Sequence, residues 1–217
     1  MQPADTNGQG ATSAEGRWVK LRPVERADFR AFFTWRSDLT EALLWTTQGR
    51  RVVTFEQFVP DFERWLRDSI IVIAEDRSDN SAVGFARAYN VNLSDGTAFV
   101  QAYVVPPYRL RPHVWELAAV FSDYLFGYFP LRKAYAELPA HNEYAASLYT
   151  RLGFKQQACL TEHVWYRDRY WDWLIYALPR DAWKEARQCA EVILQVEEDI
   201  RKRSRNGEPA VSGKEIS

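Results

Sequence analysis

Sulfur is scarce in this chain, which carries two cysteines and one methionine in 217 residues. Cys159 and Cys189 lie far apart, with neither the paired spacing of a metal site nor that of a redox motif, so they read as inert thiols. Long apolar runs are missing too. None approaches the roughly 18 residues of a membrane span, and Met1-Gln2-Pro3-Ala4-Asp5 has neither a basic nor an apolar signal region. The expectation is a cytoplasmic protein with no membrane partner. An excess of one charge is also absent: 28 Lys and Arg against 29 Asp and Glu leave a net charge of −1. That removes the electrostatic footprint of a DNA-binding protein, although a local RNA contact stays open. What remains is ordinary for one soluble domain, at 47% hydrophobic and 26% charged residues, except for 15% aromatics with nine Trp. Those rings either build a heavily aromatic core or wall an apolar pocket for a bulky ligand.

Residues 1–16 hold no large apolar side chain and cannot repay their ordering entropy, so a disordered tail is expected there. Trp18 to Arg22 alternates as a strand and stops at Pro23. Phe29, Phe32, Phe33 and Trp35 mark a helix from Arg26. A second opens at Thr54-Phe55-Glu56-Gln57, a capping box, with a kink or restart expected at Pro60. Three strand-like runs follow, over 69–74, 82–89 and 98–104, separated by Asp79-Asn80-Ser81 and Leu93-Ser94-Asp95-Gly96, as in an antiparallel meander. Val114, Leu117, Phe121, Leu125 and Tyr128 keep helical spacing up to Pro130. A strand near 134–138 and a helix closed by Gly153 come next. Two long strands, about 155–166 and 170–178, precede a terminal helix over 184–203 and a disordered end over 204–217. The narrow apolar stripe of that helix can pack on its own domain or on a second copy in a homodimer.

Two stretches carry chemistry. Val104-Val105-Pro106-Pro107-Tyr108-Arg109 leads through Leu110, Arg111, Pro112 and His113 to Val114. Asn142-Glu143-Tyr144-Ala145-Ala146-Ser147-Leu148-Tyr149-Thr150-Arg151-Leu152-Gly153-Phe154 follows later. In this order the chain resembles the Gcn5-related N-acetyltransferase superfamily over residues 17–183. The finish Tyr166 to Trp183 is similar to the branch of ribosomal-protein N-terminal acetyltransferases. The resemblance implies an α/β (α+β) fold: a mixed, mostly antiparallel sheet of about six or seven strands, flanked by about four helices, plus the C-terminal helix.

It also implies an acyltransferase that moves an acyl group from acetyl-CoA, or another acyl-CoA, to an amine of a small molecule or of a peptide N-terminus. Val104, Val105, Arg109, Leu110, Arg111, His113, Val114 and Asn142 match the donor-binding positions. Tyr149 matches the residue that protonates the departing thiolate. Phe33, Trp35, Trp45, Gln101, Tyr103 and Trp171 fall where the acceptor pocket is expected. Pyrophosphate is held in such sites by bare backbone N–H groups at a helix N-terminus. Here Pro112 and Val114 stand at the two small-residue positions. The lost donor lowers affinity about 10 to 100-fold, for which Arg109 and Arg111 can compensate. Glu116, Glu137, Glu143 and His141 are near in sequence, but none is singled out as general base. The competing reading is a repurposed relative, with a carrier protein or aminoacyl-tRNA as donor, or a binding and dimerisation module without catalysis.

Overall fold

The β-branched and aromatic runs pair into one seven-stranded sheet in the order β1-β2-β3-β4-β5-β7-β6. The computed structural model describes residues 15–38 and 51–205. Its strands are β1 (Val19–Pro23), β2 (Ser69–Asp76), β3 (Ala82–Asn92), β4 (Thr97–Val104), β5 (Lys133–Pro139), β6 (Lys155–Tyr166) and β7 (Arg169–Pro179). Its helices are α1 (Phe29–Ser37), α2 (Phe55–Asp68), α3 (His113–Tyr128), α4 (Glu143–Arg151) and α5 (Arg180–Arg205). Neighbouring strands are antiparallel except β4 and β5, whose parallel pairing is confined to Thr97, Ala98 and Phe99 against Lys133, Ala134 and Tyr135. Beyond those pairs the two strands part, and the sheet opens in its middle.

Strand alternation sends successive side chains to opposite faces and builds two cores. On one face Ala86, Ala88, Ala98, Val104, Ala134 and Leu138 pack with Leu117, Phe121 and Leu125 of α3 and with Trp183 and Ala190 of α5. On the other, Ile73, Phe85 and Tyr103 meet Phe29 and Phe32 of α1 and Phe58 and Phe62 of α2. Small residues on the first face let α3 lie close to the sheet. Aromatic residues on the second fill the wider gap, with Phe32 and Phe62 ring centroids 4.3 Å apart.

Polar anchors fix the helices. Thr54 and Gln57 close the expected capping box on α2. The buried carboxylate of Glu116 on α3 accepts the backbone N–H groups of Arg17, Trp18 and Val19. Arg180 gives its guanidinium to the carbonyls of Phe126 and Phe129, at the end of α3, and of Leu131 just beyond it. Trp183 and Arg187 of α5 both reach Asp123, at 2.9 and 2.7 Å.

Several expectations change. Pro60 neither breaks nor restarts α2, which runs through it. It stands in the second turn, where only the carbonyl of Glu56, an exposed residue, loses its partner. The terminal helix starts at Arg180, directly after β7, and runs to Arg205, so it is longer at both ends than 184–203. Arg26–Asp28 form a 3-10 turn ahead of α1. Glu15 and Gly16 are tied down, through a bridge to Lys20 and an N–H bond to the Val19 carbonyl, so the tail boundary at 16 moves back. The rest of the expected tails, 1–14 and 206–217, lies outside the described residues, as does Trp45. Among the described residues no helix is long and apolar enough to cross a membrane.

Candidate active site

The opening between β4 and β5 is a cavity of about 180 Å³ that joins the two faces of the sheet. Val114, Ala118, Asn142, Ala145, Leu148 and Tyr149 line it from α3 and α4; Gln101 and Tyr103 line it from β4 and Glu137 from β5. It continues past Arg109 into a cleft of about 310 Å³ between the loop Arg109–Trp115 and helix α4.

Tyr149 owes its place to the end of α4. Gly153 adopts φ +83°, its N–H bonds the Thr150 carbonyl, and the Phe154 N–H reaches back to the Tyr149 carbonyl at 2.9 Å. These bonds form a Schellman motif, completed by the contact of Phe154 with the Tyr149 ring at 5.1 Å. The Leu-Gly-Phe sequence thereby fixes both backbone and ring of Tyr149. Burial, and then the nearby Glu137 carboxylate, push the Tyr149 phenol up to about 12. It is protonated at neutral pH, the state a proton donor needs.

Asn142 caps α4, its side-chain oxygen accepting the Ala145 N–H at 3.2 Å. Tyr144 ties α4 to the loop by donating its hydroxyl to the Arg109 carbonyl at 2.6 Å. Glu137 accepts the Tyr89 hydroxyl at 2.8 Å and the Trp173 indole N–H at 3.1 Å. That hydroxyl is driven well above the ordinary phenol range by burial and by Glu137. Of the four acid–base residues weighed in the sequence, Glu137 lines the cavity. Glu116 is committed to the N-terminal amides, and Glu143 is exposed in the first turn of α4. His141 stacks on Tyr166 at 4.1 Å, where burial and then Arg167 lower its pKa.

The loop departs from an amide cradle. The Arg111 N–H bonds Tyr108 and the Val114 N–H bonds Arg111 inside the turn, and Pro112 has none to give. Its cations are better placed: Arg109, Arg111 and Arg151 all line the second cleft. Arg109 also braces the strand end, its Nε donating to the Val104 carbonyl at 2.9 Å. Residues and chemistry therefore fit a phosphate-bearing ligand through guanidinium groups more than through amides.

Not every expected site residue converges here. Val104, Arg109, Val114, Asn142, Tyr149, Gln101 and Tyr103 surround the first cavity. Leu110, 92% exposed, and Arg111 belong to the second cleft. The His113 side chain turns away: it is 2% exposed and meets Asp76 of β2 at 3.0 Å, so its role is structural pairing. Val105 packs on the aromatic core through its side chain and bonds the Val83 carbonyl with its N–H. Phe33 and Trp35 also belong to that core; Trp35 stands 5.6 Å from Tyr103 and reaches the cavity only through it. Trp171 stacks with Arg169 at 3.5 Å and meets His141 edge-on, outside the cavity. The contributions of Glu137 and Tyr89 had no motif to announce them, and Arg151 lies within the later motif without a role there; strand alternation alone puts Tyr135 and Glu137 on one face.

Residues 19–155 match the family model described as an acetyltransferase (GNAT) domain. No protein of curated function matches the chain. Among solved structures it is similar to a spermidine N-acetyltransferase from Vibrio cholerae in complex with CoA and spermine, at 19% identity and a TM-score of 0.71, over 78% of this chain and 99% of that one. A GCN5-related N-acetyltransferase from Brucella melitensis is similar at 20% identity and a TM-score of 0.69, over 83% and 84% of the two chains.

Proposed function

The chain belongs to the acetyltransferase (GNAT) domain family, and so to the N-acyltransferases, and from that premise we propose that it moves an acetyl group from acetyl-CoA to a primary amine. The observation that carries this reading is the cavity through the sheet. It joins the arginine-lined cleft on the α3–α4 side to the Glu137 carboxylate on the other, with Tyr149 at the junction. A donor whose phosphates lie by Arg111 and Arg151 would present its thioester at the opening. An amine held by Glu137 would approach from the opposite face, near attack distance.

The amine nitrogen attacks the thioester carbonyl, the C–N bond forms and the C–S bond breaks. The Tyr149 phenol gives its proton to the departing sulfur. The proton lost by the amine goes to Glu137 or to water. Mixed aromatic and carboxylate walls suit an amine on an apolar frame, and the likeness of the final hairpin to ribosomal-protein N-terminal acetyltransferases keeps a peptide N-terminus within the class. On α5, Trp183, Ala186 and Ala190 pack into the chain's own core; whether a homodimer also forms is read by light scattering.

Calorimetry with acetyl-CoA, longer acyl-CoAs and CoA tests the donor. Binding should weaken about 10-fold or more in Arg111→Ala and in Arg151→Ala, as a lost charge-assisted hydrogen bond implies. An absence of binding at millimolar donor would sink the reading.

A further inference from the structure

Arg87 lies on β3, on the face that carries Phe85 and Tyr103, and pairs in register with Gln101 of β4. Its guanidinium sits over Trp65 of α2 at 4.1 Å and over Tyr89 at 4.3 Å. Its Nε is buried without a hydrogen-bond partner. Among the described residues no carboxylate forms an ion pair with it. Aromatic rings meet part of its charge but leave that buried Nε–H without an acceptor. Burial lowers its pKa, and Tyr89 and Glu137 offset that only in part. A desolvated guanidinium in that state has a strong demand for an anion.

Tyr89 links this cation to the site. Arg87 lies over the face of its ring and its hydroxyl bonds Glu137, so one side chain touches both a guanidinium and a carboxylate. The opening at Glu137 and Gln101 leads directly to Tyr149. Trp65 and Trp173 supply apolar walls on the same side.

We propose that the acceptor is an amine that also bears a carboxylate, an amino acid, with its carboxylate held by Arg87 and its amino group by Glu137. The planar fork of a guanidinium matches a carboxylate with two parallel hydrogen bonds. A polycation such as the spermine bound by the Vibrio cholerae protein would bring like charge against Arg87 and gain nothing from it. This inference rests on the acyltransferase reading above and narrows its acceptor.

The test uses pairs that differ only in the carboxylate: phenylalanine with phenethylamine, and leucine with 3-methylbutylamine. Each is titrated into the full chain with and without CoA, and each is offered as acceptor with acetyl-CoA. The expected result is about 10-fold or greater preference for the amino acid in both Kd and kcat/KM. Arg87→Gln should erase the preference and Arg87→Lys should leave an intermediate one, with melting curves confirming that each variant folds. Equal or better use of the decarboxylated amine by the wild type overturns the proposal. So does a preference that survives Arg87→Gln. If spermidine alone is acylated, the carboxylate assignment falls while the acyltransferase reading stands. If CoA does not bind, the acyltransferase reading falls, and amino-acid binding in its absence still judges Arg87: no difference between pair members overturns its role.

Discussion

Replacing Gly153 by Ala puts a methyl group on a residue held at φ +83°, 3.0 Å from the Ala186 Cβ of α5. A non-glycine residue in the left-handed region costs on the order of 1–2 kcal/mol, and a methyl contact that tight adds roughly 1 kcal/mol of overpacking. The expected loss is therefore about 2–3 kcal/mol, or roughly 4–12 °C in Tm for a chain of this size. Urea unfolding should show a lower midpoint with an unchanged slope. Ala186→Gly separates the two terms. It carries its own helix cost of about 1 kcal/mol, so the informative quantity is the coupling in the double mutant, expected near 0.5–1 kcal/mol in favour of the pair. Since the same turn sets Tyr149, turnover should fall more than donor affinity. A Gly153→Ala protein within about 0.5 kcal/mol of wild type, the range of an ordinary surface change, would refute the assignment of this glycine to the motif.

Tyr149→Phe keeps the packing against Phe154 and removes the proton donor; kcat should drop about 10² to 10⁴-fold with donor affinity unchanged, measured by thiol release. The Tyr149 phenol, pushed up to about 12, should contribute no alkaline loss of kcat below about pH 11, and Glu137→Gln should lower its titration in ultraviolet difference spectra. Arg180→Ala leaves the Phe126, Phe129 and Leu131 carbonyls without their donor and should cost about 3 kcal/mol in urea unfolding. Asp28 and Asp76 are opposed by burial, yet their carboxyls sit below the ordinary range because Arg22 and the Glu25 N–H bond one, and Ser78 and His113 the other. A depressed folded pKa gives stability that is complete above the unfolded value, about 3.9, and is lost as pH falls through the folded value. The acid limb of stability should flatten in Asp28→Asn.

Much of the architecture is legible in local pattern. Thr54 and Gln57 announce the start of α2, Gly153 the end of α4, and the spacing of Leu117, Phe121 and Leu125 the length of α3, because caps and periodicity act over a few residues. Pro60 starts no second helix because the cost of proline depends on which carbonyl it strands, and Glu56 is exposed. In the site, Tyr149 and Asn142 are readable since one short motif holds both. Glu137 and Arg87 are not: Glu137 gains its meaning from Tyr89 of β3 and Trp173 of β7, and Arg87 from Trp65 of α2, all distant in sequence and brought close by the fold. His113 reads as a donor-binding residue until Asp76, at the end of β2, claims its ring.

The brief parallel pairing of β4 with β5 has a consequence for how the chain folds. Strands β1 to β4 bond in succession, after one long excursion through α1 and α2, and β5 to β7 close among themselves. Strand pairing between one half of the sheet and the other, bridged by α3, is limited to three residue pairs. Each half can gather its contacts from nearby sequence, whereas the seam requires the longer closure across α3. Amide hydrogen exchange should then find Phe99 and Tyr135 less protected than Phe85 or Ala177. The opening where the two substrates would meet is thus also the line along which the molecule assembles last and loosens first.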